Sequence, residues 1–115
     1  MLPIPHRLKG KKVFNDIFRF GKTFSNDVMM MRIVPGKRGQ PAKFGFAASL
    51  KFSKKAVERN KVKRWMREAM RAKTGEVQPG QEIVFLINPK FPKDKLNLGL
   101  IRENIEKLLK QAKIL

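Results

Sequence analysis

Apolar residues recur along the chain with a helical or a strand period, and these periods predict its secondary structure. Phe14, Ile17 and Phe18 stand at the i, i+3 and i+4 positions of a helix. Gly21 follows at the position of a C-terminal cap, so a first helix is predicted to end there. The stretch 23–34, TFSNDVMMMRIV, is predicted to form one strand.

The middle of the chain predicts a strand followed by a long helix. Across residues 43–50, KFGFAASL, small residues alternate with Phe44 and Phe46, which places both rings on one face of a strand. Ser53 has the residue type of a helix N-cap, and the helical pattern then continues to about Lys73.

The last third of the chain predicts a buried strand and a C-terminal helix. Residues 83–87, IVFLI, form an unbroken apolar run, which is typical of a strand buried on both faces. The apolar stripe of the final helix consists of Leu98, Ile101, Ile105, Leu108, Leu109 and Ala112. This order of elements predicts an α+β fold, an α/β sandwich whose sheet is covered by helices. Because the 115 residues contain neither repeats nor linkers, one domain over residues 1–115 is expected.

Residues 56–71, AVERNKVKRWMREAMR, have two different faces when they are placed on a helix. One sector is apolar and comprises Val62, Trp65, Met66, Ala69 and Met70. The opposite sector, which we call the basic ridge, comprises Asn60, Lys63, Arg64, Arg67 and Arg71. Arg59 lies at the border of the ridge and Lys61 on its flank. The helix is therefore predicted to pack its apolar sector on the sheet and to present the basic ridge outward.

The charge balance indicates a polyanionic partner. Lys and Arg number 27 against 9 Asp and Glu, which gives a formal net charge of +18. Nucleic acid relieves the self-repulsion of such a chain, because phosphates that bind Lys and Arg release condensed counterions. A membrane partner is not expected, since no apolar run reaches the roughly 18–20 residues of a spanning helix. The N-terminus lacks the apolar segment of a secretory signal, so a cytoplasmic location is expected.

The charges around the predicted basic helix favour RNA binding over a merely solvated face. From Lys51 to Lys73, ten basic residues stand against only Glu58 and Glu68. A solvated face normally mixes signs to form i,i+4 pairs. Arg binds phosphate oxygens bidentately and stacks on bases. The amide of Asn60 can read a base edge or a 2′-hydroxyl, which favours structured RNA over DNA.

Other classes of function have less support in the sequence. There is no Cys and a single His, His6, so thiolate metal sites and His-based catalytic clusters are excluded. A stand-alone nuclease needs clustered carboxylates or a His pair, yet the nine acidic residues are scattered. A DNA-binding regulator is supported by charge alone, because no helix-turn-helix spacing is evident. A ribosomal protein or general RNA chaperone shares the charge and size and stays open as an alternative.

Three segments resemble the protein subunit of bacterial ribonuclease P. ERNKVKRWMRE resembles the arginine-rich R-N-x-x-K-R-x-x-R-E motif of that family, carried by Arg59, Asn60, Lys63, Arg64, Arg67 and Glu68. RLKGKKVFNDIFRFGK resembles the family's opening motif, carried by Arg7, Leu8, Phe14, Ile17, Phe18 and Gly21. FGFAASLKF resembles the family's G-(L/F)-x-V-S-K-K strand, although Leu50 stands where the family usually has Lys.

The resemblance implies a fold, an activity and partners. The implied element order is αβββαβα, with a left-handed crossover through the basic helix and a third strand within 23–34 or the loop after it. The implied role is that of the non-catalytic protein subunit of an endoribonuclease. In this family the RNA subunit holds Mg²⁺ and hydrolyses the bond that frees the 5′ end of mature tRNA, so no catalytic or metal-binding residue is expected here. The implied partners are the ribonuclease P RNA subunit and precursor tRNA. One protein monomer per RNA is expected, because the sequence leaves over no apolar helix stripe for a second copy.

The resemblance also implies two sets of site residues. The RNA-binding set on the basic helix is Arg59, Asn60, Lys61, Lys63, Arg64, Arg67 and Arg71. The second set forms a cleft for the single-stranded 5′ leader of precursor tRNA and consists of Phe14, Phe18, Arg32, Ser49 and Lys51. Helical spacing alone makes Phe14 and Phe18 core residues, whereas the resemblance makes them shared between core and cleft.

Overall fold

The computed structural model describes Arg19 and residues 21–35 and 39–114, which form a mixed α+β fold as predicted. The strands are β1 (Lys22–Ser25), β2 (Met29–Pro35), β3 (Lys43–Ala47) and β4 (Gln81–Ile87). The helices are α1 (Ala56–Arg71), α2 (Leu98–Gln111) and a short 3₁₀ helix (Lys93–Lys95). The helix predicted around Phe14, Ile17 and Phe18 lies outside the described residues.

The four strands form one mixed sheet in the order β1-β2-β4-β3. β1 pairs with β2 and β2 with β4 in antiparallel orientation, whereas β3 lies parallel to β4. Parallel neighbours need a crossover connection, because the chain must return to the same end of the sheet. α1 lies in that crossover between β3 and β4. The predicted left-handedness of the crossover stays a prediction.

The prediction of a single strand over residues 23–34 is wrong, because a hairpin turn interrupts it after Ser25. The side-chain Oδ1 of Asn26 accepts hydrogen bonds from the backbone N–H groups of Val28 and Met29, each at 3.0 Å. Asn side chains commonly form such turns with nearby backbone groups. β1 and β2 are therefore two antiparallel strands, and the third strand implied by the resemblance lies within the stretch 23–34.

The predicted N-cap of α1 is also wrong. The helix begins at Ala56 after Lys55, which makes no side-chain cap. Ser53 lies before this boundary, and its Oγ accepts a hydrogen bond from the backbone N–H of Lys55 at 3.1 Å and donates one to the Glu58 carboxylate. Ser53 thus stabilises the loop that leads into α1, and it is not the N-cap of the helix.

The hydrophobic core lies between one face of the sheet and the two long helices. On this face of the sheet, alternate residues of β2 and β4 lie side by side as cross-strand neighbours, with Met31 beside Phe85 and Ile33 beside Ile83. Phe46 packs on Phe85 at 6.0 Å between ring centroids, so the predicted placement of Phe44 and Phe46 on one face is confirmed. The predicted helix stripes also pack in this core, which includes Val62, Met66, Met70, Ile101, Ile105, Leu108 and Leu109. No helix in the described part of the chain is long and apolar enough to cross a membrane.

The opposite side of the sheet, which we call the second sheet face, carries a row of smaller and polar residues. Pairing places Arg32 opposite Val84, and Val84 opposite Gly45. Val84 is buried although it points away from the helices, so β4 is buried on both faces as predicted.

Candidate nucleic-acid interface

α1 has the two faces that its sequence predicts. Val62, Met66 and Met70 are buried against β3 and α2, which fixes the rotation of the helix about its axis. The basic ridge therefore points away from the core. Asn60, Arg64 and Arg71 are exposed, whereas Lys63 and Arg67 are half-buried. Long cationic side chains can cover apolar surface with their stems while the charged ends stay in water.

The charge of the basic ridge is largely uncompensated by the protein. Among the described residues, Arg71 is the one ridge residue with an ion pair, at 3.0 Å between its Nη2 and Oε1 of Glu68. The other ridge side chains form no hydrogen bond within that part of the chain. Donors without an internal partner are available to phosphate oxygens.

Two residues beside the ridge are held in place by contacts of their own. Nζ of Lys61 lies 5.0 Å from the ring centroid of half-buried Trp65, which is a cation–π contact. Nη1 of Arg59 donates a hydrogen bond to the backbone carbonyl of Ser53 at 2.9 Å. Since a guanidinium has five N–H donors, this bond leaves Arg59 able to contact a further acceptor. The bond from Arg59 to Ser53 has no periodic signal in the sequence, whereas Lys61 and Trp65 stand at the i and i+4 positions of one helix, a spacing that brings side chains together.

The segment between β3 and α1 is a hydrogen-bonded turn, which we call the 49–55 turn. The backbone N–H of Phe52 donates to the carbonyl of Ser49 at 3.1 Å and to its Oγ at 3.2 Å. Phe52 and Ser53 are buried, whereas Ser49 and Lys51 are exposed. Phe52 and Ser53 therefore anchor the turn in the protein, and Ser49 and Lys51 are presented to solvent.

Glu58, the acidic residue in the first turn of α1, is engaged inside the protein. Hydrogen bonds from Ser53 and then from Lys93, with the positive charge of Lys93 adding to them, hold the pKa of the Glu58 carboxyl below its usual value of 4.5. Oε1 of Glu58 lies 3.2 Å from Nζ of Lys93. The negative charge of Glu58 is thus opposed by Lys93, and it offsets little of the ridge charge.

The residues predicted for the leader cleft fall into two groups. Arg32 lies in β2 on the second sheet face, and Ser49 and Lys51 lie just beyond the C-terminal end of β3. The strand order separates Arg32 from β3 by the single strand β4. Phe14 and Phe18 lie outside the described residues, so the aromatic part of the cleft stays a prediction.

The outward face of α2 differs from the basic ridge because most of its charges are paired, Arg102 being the exception among the described residues. Lys107 lies 3.2 Å from Glu103, and Glu106 lies 3.0 Å from Lys110 and 3.7 Å from Lys73. The hydrogen bond and charge of Lys110, together with the charge of Lys73, lower the pKa of the Glu106 carboxyl. Among the described residues, α1 therefore carries more cations without an ion pair than α2 does. The described residues contain no group of three or more His, Cys, Asp or Glu side chains suited to a metal ion.

Known proteins match the chain over nearly its whole length. A family model described as Ribonuclease P matches residues 2–113. The ribonuclease P protein component of Picosynechococcus sp. is 34% identical over 113 residues, which cover 98% of this chain and 95% of that protein.

Solved structures match the fold as well. The RNase P protein from Thermotoga maritima has a TM-score of 0.78 at 30% identity, and the match covers 91% of this chain and 96% of that one. An RNase P protein mutant from Staphylococcus aureus with defective mRNA degradation activity has a TM-score of 0.82 at 25% identity, covering 96% and 90%.

The motif residues that suggested the resemblance lie together on α1. Arg59, Asn60, Lys63, Arg64 and Arg67 follow one another on the outward side of a helix that a buried apolar sector holds in place. The family match spans this helix, the whole sheet and α2. The chain therefore belongs to the ribonuclease P protein component family.

Proposed function

We propose that this protein binds the catalytic RNA of ribonuclease P and the 5′ leader of precursor tRNA, and so promotes endonucleolytic removal of the leader. The observation that carries the proposal is the uncompensated basic ridge on a helix anchored by Val62, Met66 and Met70. A rigid row of cations presents its donors at fixed spacing, which suits the regularly spaced phosphates of a folded RNA. Lys61 and Arg59 extend this contact at its flank and border.

The chemical step belongs to the RNA subunit in this proposal. Magnesium ions held chiefly by the RNA subunit and the substrate supply the activated water and stabilise charge in phosphodiester hydrolysis. The residues of the protein bind and orient RNA.

Charge explains how a protein without catalytic residues can promote the reaction. RNA helices that pack against each other and against substrate repel one another through their phosphates. A protein of net charge +18 lowers that repulsion, so fewer magnesium ions are needed to hold the same assembly. One protein monomer per RNA in the cytoplasm is the simplest arrangement.

The leader is proposed to lie along the second sheet face and the 49–55 turn. Arg32, Ser49 and Lys51 supply phosphate and hydroxyl contacts, and Phe14 and Phe18 supply faces on which bases stack. Stacking of this kind contributes about 1–3 kcal/mol per base and tolerates many sequences.

The test is a cleavage assay on precursor tRNA at low magnesium with bacterial ribonuclease P RNA alone, protein alone, and both together. We expect cleavage at the mature 5′ end only in the mixture. Cleavage by the protein alone would instead indicate a nuclease. Absence of cleavage in the mixture, combined with tight binding to unrelated structured RNAs, would favour a general RNA chaperone.

A further inference from the structure

Leu50 is an apolar side chain that the structure holds out into solvent. The residue is 68% exposed, and it is one of two large hydrophobic residues exposed in the described part of the chain. It lies in the 49–55 turn, between the edge strand β3 and the first turn of α1. It is thus at the junction between the second sheet face and the helix that carries the basic ridge.

The exposure of Leu50 is imposed by the turn. The backbone N–H groups of Phe52 and Ser53 both donate to the carbonyl of Ser49, at 3.1 and 3.3 Å, and so close the chain around Leu50. Phe52 is 4% exposed and belongs to the hydrophobic core. Arg59 of α1 binds the carbonyl of Ser53 at 2.9 Å, which fixes the far end of the turn. Because both ends are anchored, Leu50 cannot turn inward without breaking these contacts.

The surroundings of Leu50 are cationic. Lys51, Lys54 and Lys55 are exposed, and their side chains form no ion pair among the residues that the structure describes. Glu58, the acidic residue closest in sequence, is engaged by Ser53 and Lys93. A partner of this surface must combine negative charge with an apolar face. Single-stranded RNA has both, since its phosphates alternate with bases whose faces are not all covered by stacking.

We propose that Leu50 packs against the face of one unstacked base in the 5′ leader while Lys51 binds a neighbouring phosphate. This inference rests on the proposed function, and it names a contact that recognises a base and not the backbone. Contact with an apolar side chain removes base surface from water, so it is not screened by NaCl as a contact between Lys and phosphate is. Duplex RNA is excluded as the occupant, because its bases are covered by their stacked neighbours.

The test measures dissociation constants of the holoenzyme, the protein assembled with ribonuclease P RNA, for precursor tRNA and for mature tRNA without a leader. Leu50→Ala is expected to raise the constant for precursor tRNA about fivefold, because part of the buried leucine surface is removed, and to leave that for mature tRNA unchanged. The salt dependence of precursor binding should also be unchanged. Leu50→Met, which keeps an apolar side chain of similar volume, is the matched control and should bind like the wild type.

A second measurement identifies the base. Precursor tRNAs with one abasic nucleotide at successive leader positions are bound to wild-type and Leu50→Ala holoenzymes. One position should lower wild-type affinity about fivefold and abolish the difference between the two proteins, as expected for partners in one contact.

Three outcomes would overturn the inference while the proposed function stands. Equal reductions in affinity for precursor and mature tRNA would place the contact of Leu50 on another part of the RNA, and unchanged affinity would remove Leu50 from the interface. A difference between the two proteins that persists at every abasic position would exclude a base as the partner. If the wild-type protein does not support cleavage at all, the proposed function is wrong and this inference falls with it. If the wild-type protein supports cleavage, the three outcomes above count against the Leu50 contact alone.

Discussion

Single side chains with a specific partner determine the two turns on which this fold depends. Asn26 closes the hairpin between β1 and β2, and Ser53 joins the 49–55 turn to Glu58 at the start of α1. Both residues are small and polar, and both satisfy backbone N–H groups where a strand or helix ends. Their removal is expected to affect stability more than RNA binding.

The hairpin turn provides a direct test of one residue. Asn26→Ala leaves the N–H groups of Val28 and Met29, two buried residues, without their side-chain acceptor. We expect a decrease of about 1–2 kcal/mol in the free energy of unfolding, since each such bond contributes about 1 kcal/mol. Asn26→Asp keeps an acceptor oxygen at the same position and is the control. Urea denaturation measures both, and equal stability of the Ala variant and the wild type would contradict the role of Asn26.

The Glu58 network predicts a dependence of stability on pH. The pKa of the Glu58 carboxyl is lower in the folded protein than its usual value of 4.5, so the ionised form favours folding. Its contribution is complete above pH 4.5 and is lost as the pH falls through the lowered pKa. Glu58→Gln should therefore be less stable than the wild type near neutral pH, and the difference should shrink in acid.

Thermal unfolding of both proteins across this pH range measures the effect. Glu76→Gln is the control, because Glu76 is an exposed acid that forms no ion pair among the described residues. A Glu58→Gln difference that stays constant down to the lowest pH would show that charge is not its origin.

At the scale of elements, α1 joins the fold to the proposed function. Its apolar sector is buried on β3 and α2, so the helix cannot rotate to hide the basic ridge. α2 packs in the same layer with an apolar stripe of the same kind, yet four of its outward charges form two ion pairs, Lys107 with Glu103 and Lys110 with Glu106. The two helices thus provide a natural comparison of paired and unpaired cations.

This comparison yields a prediction about salt dependence. Arg64→Ala combined with Arg67→Ala removes two ridge cations. We expect weaker binding to ribonuclease P RNA and a salt dependence shallower by about one unit of slope for each phosphate that is no longer bound. Lys107→Ala combined with Lys110→Ala changes the net charge equally but on the outward face of α2, so it should leave the slope nearly unchanged. Filter binding or fluorescence titration at several salt concentrations measures the slopes, and equal slopes for the two double variants would remove the ridge from the interface.

The charge of the whole molecule acts on folding and on binding in opposite directions. With 27 basic against 9 acidic residues, the folded chain repels itself, and the same charge attracts RNA. Salt screens both interactions. A higher salt concentration should therefore stabilise the free protein and weaken its binding to RNA.

A salt titration tests this opposition. An increase in NaCl from about 0.1 to about 1 M shortens the Debye length from about 10 to about 3 Å. We expect the melting temperature of the free protein to rise by a few degrees while its affinity for RNA falls steeply. Differential scanning calorimetry and RNA titration in the same buffers measure the two quantities. A melting temperature that falls with salt would show that the paired charges, such as Glu106 with Lys110, outweigh the self-repulsion.

Features with a local period were predictable from the sequence. The apolar sector of α1 and the stripe of α2 follow from residue spacing, since burial of one helix face selects that spacing. Buried β4 was recognisable from an unbroken apolar run. The break at Asn26 was missed because apolar residues continue on its C-terminal side and conceal a turn that depends on two hydrogen bonds.

The sequence by itself determined the basic character of the chain, the two faces of α1 and the apolar residues that form the core. Each of these depends on residue type and on distances of a few positions along the chain. The tertiary structure alone decided the parallel pairing of β3 with β4, the bond from Arg59 to Ser53 and the exposure of Leu50. The pairing depends on where distant segments meet when the core closes. The other two depend on the conformation of the 49–55 turn, which has no period that a sequence can display.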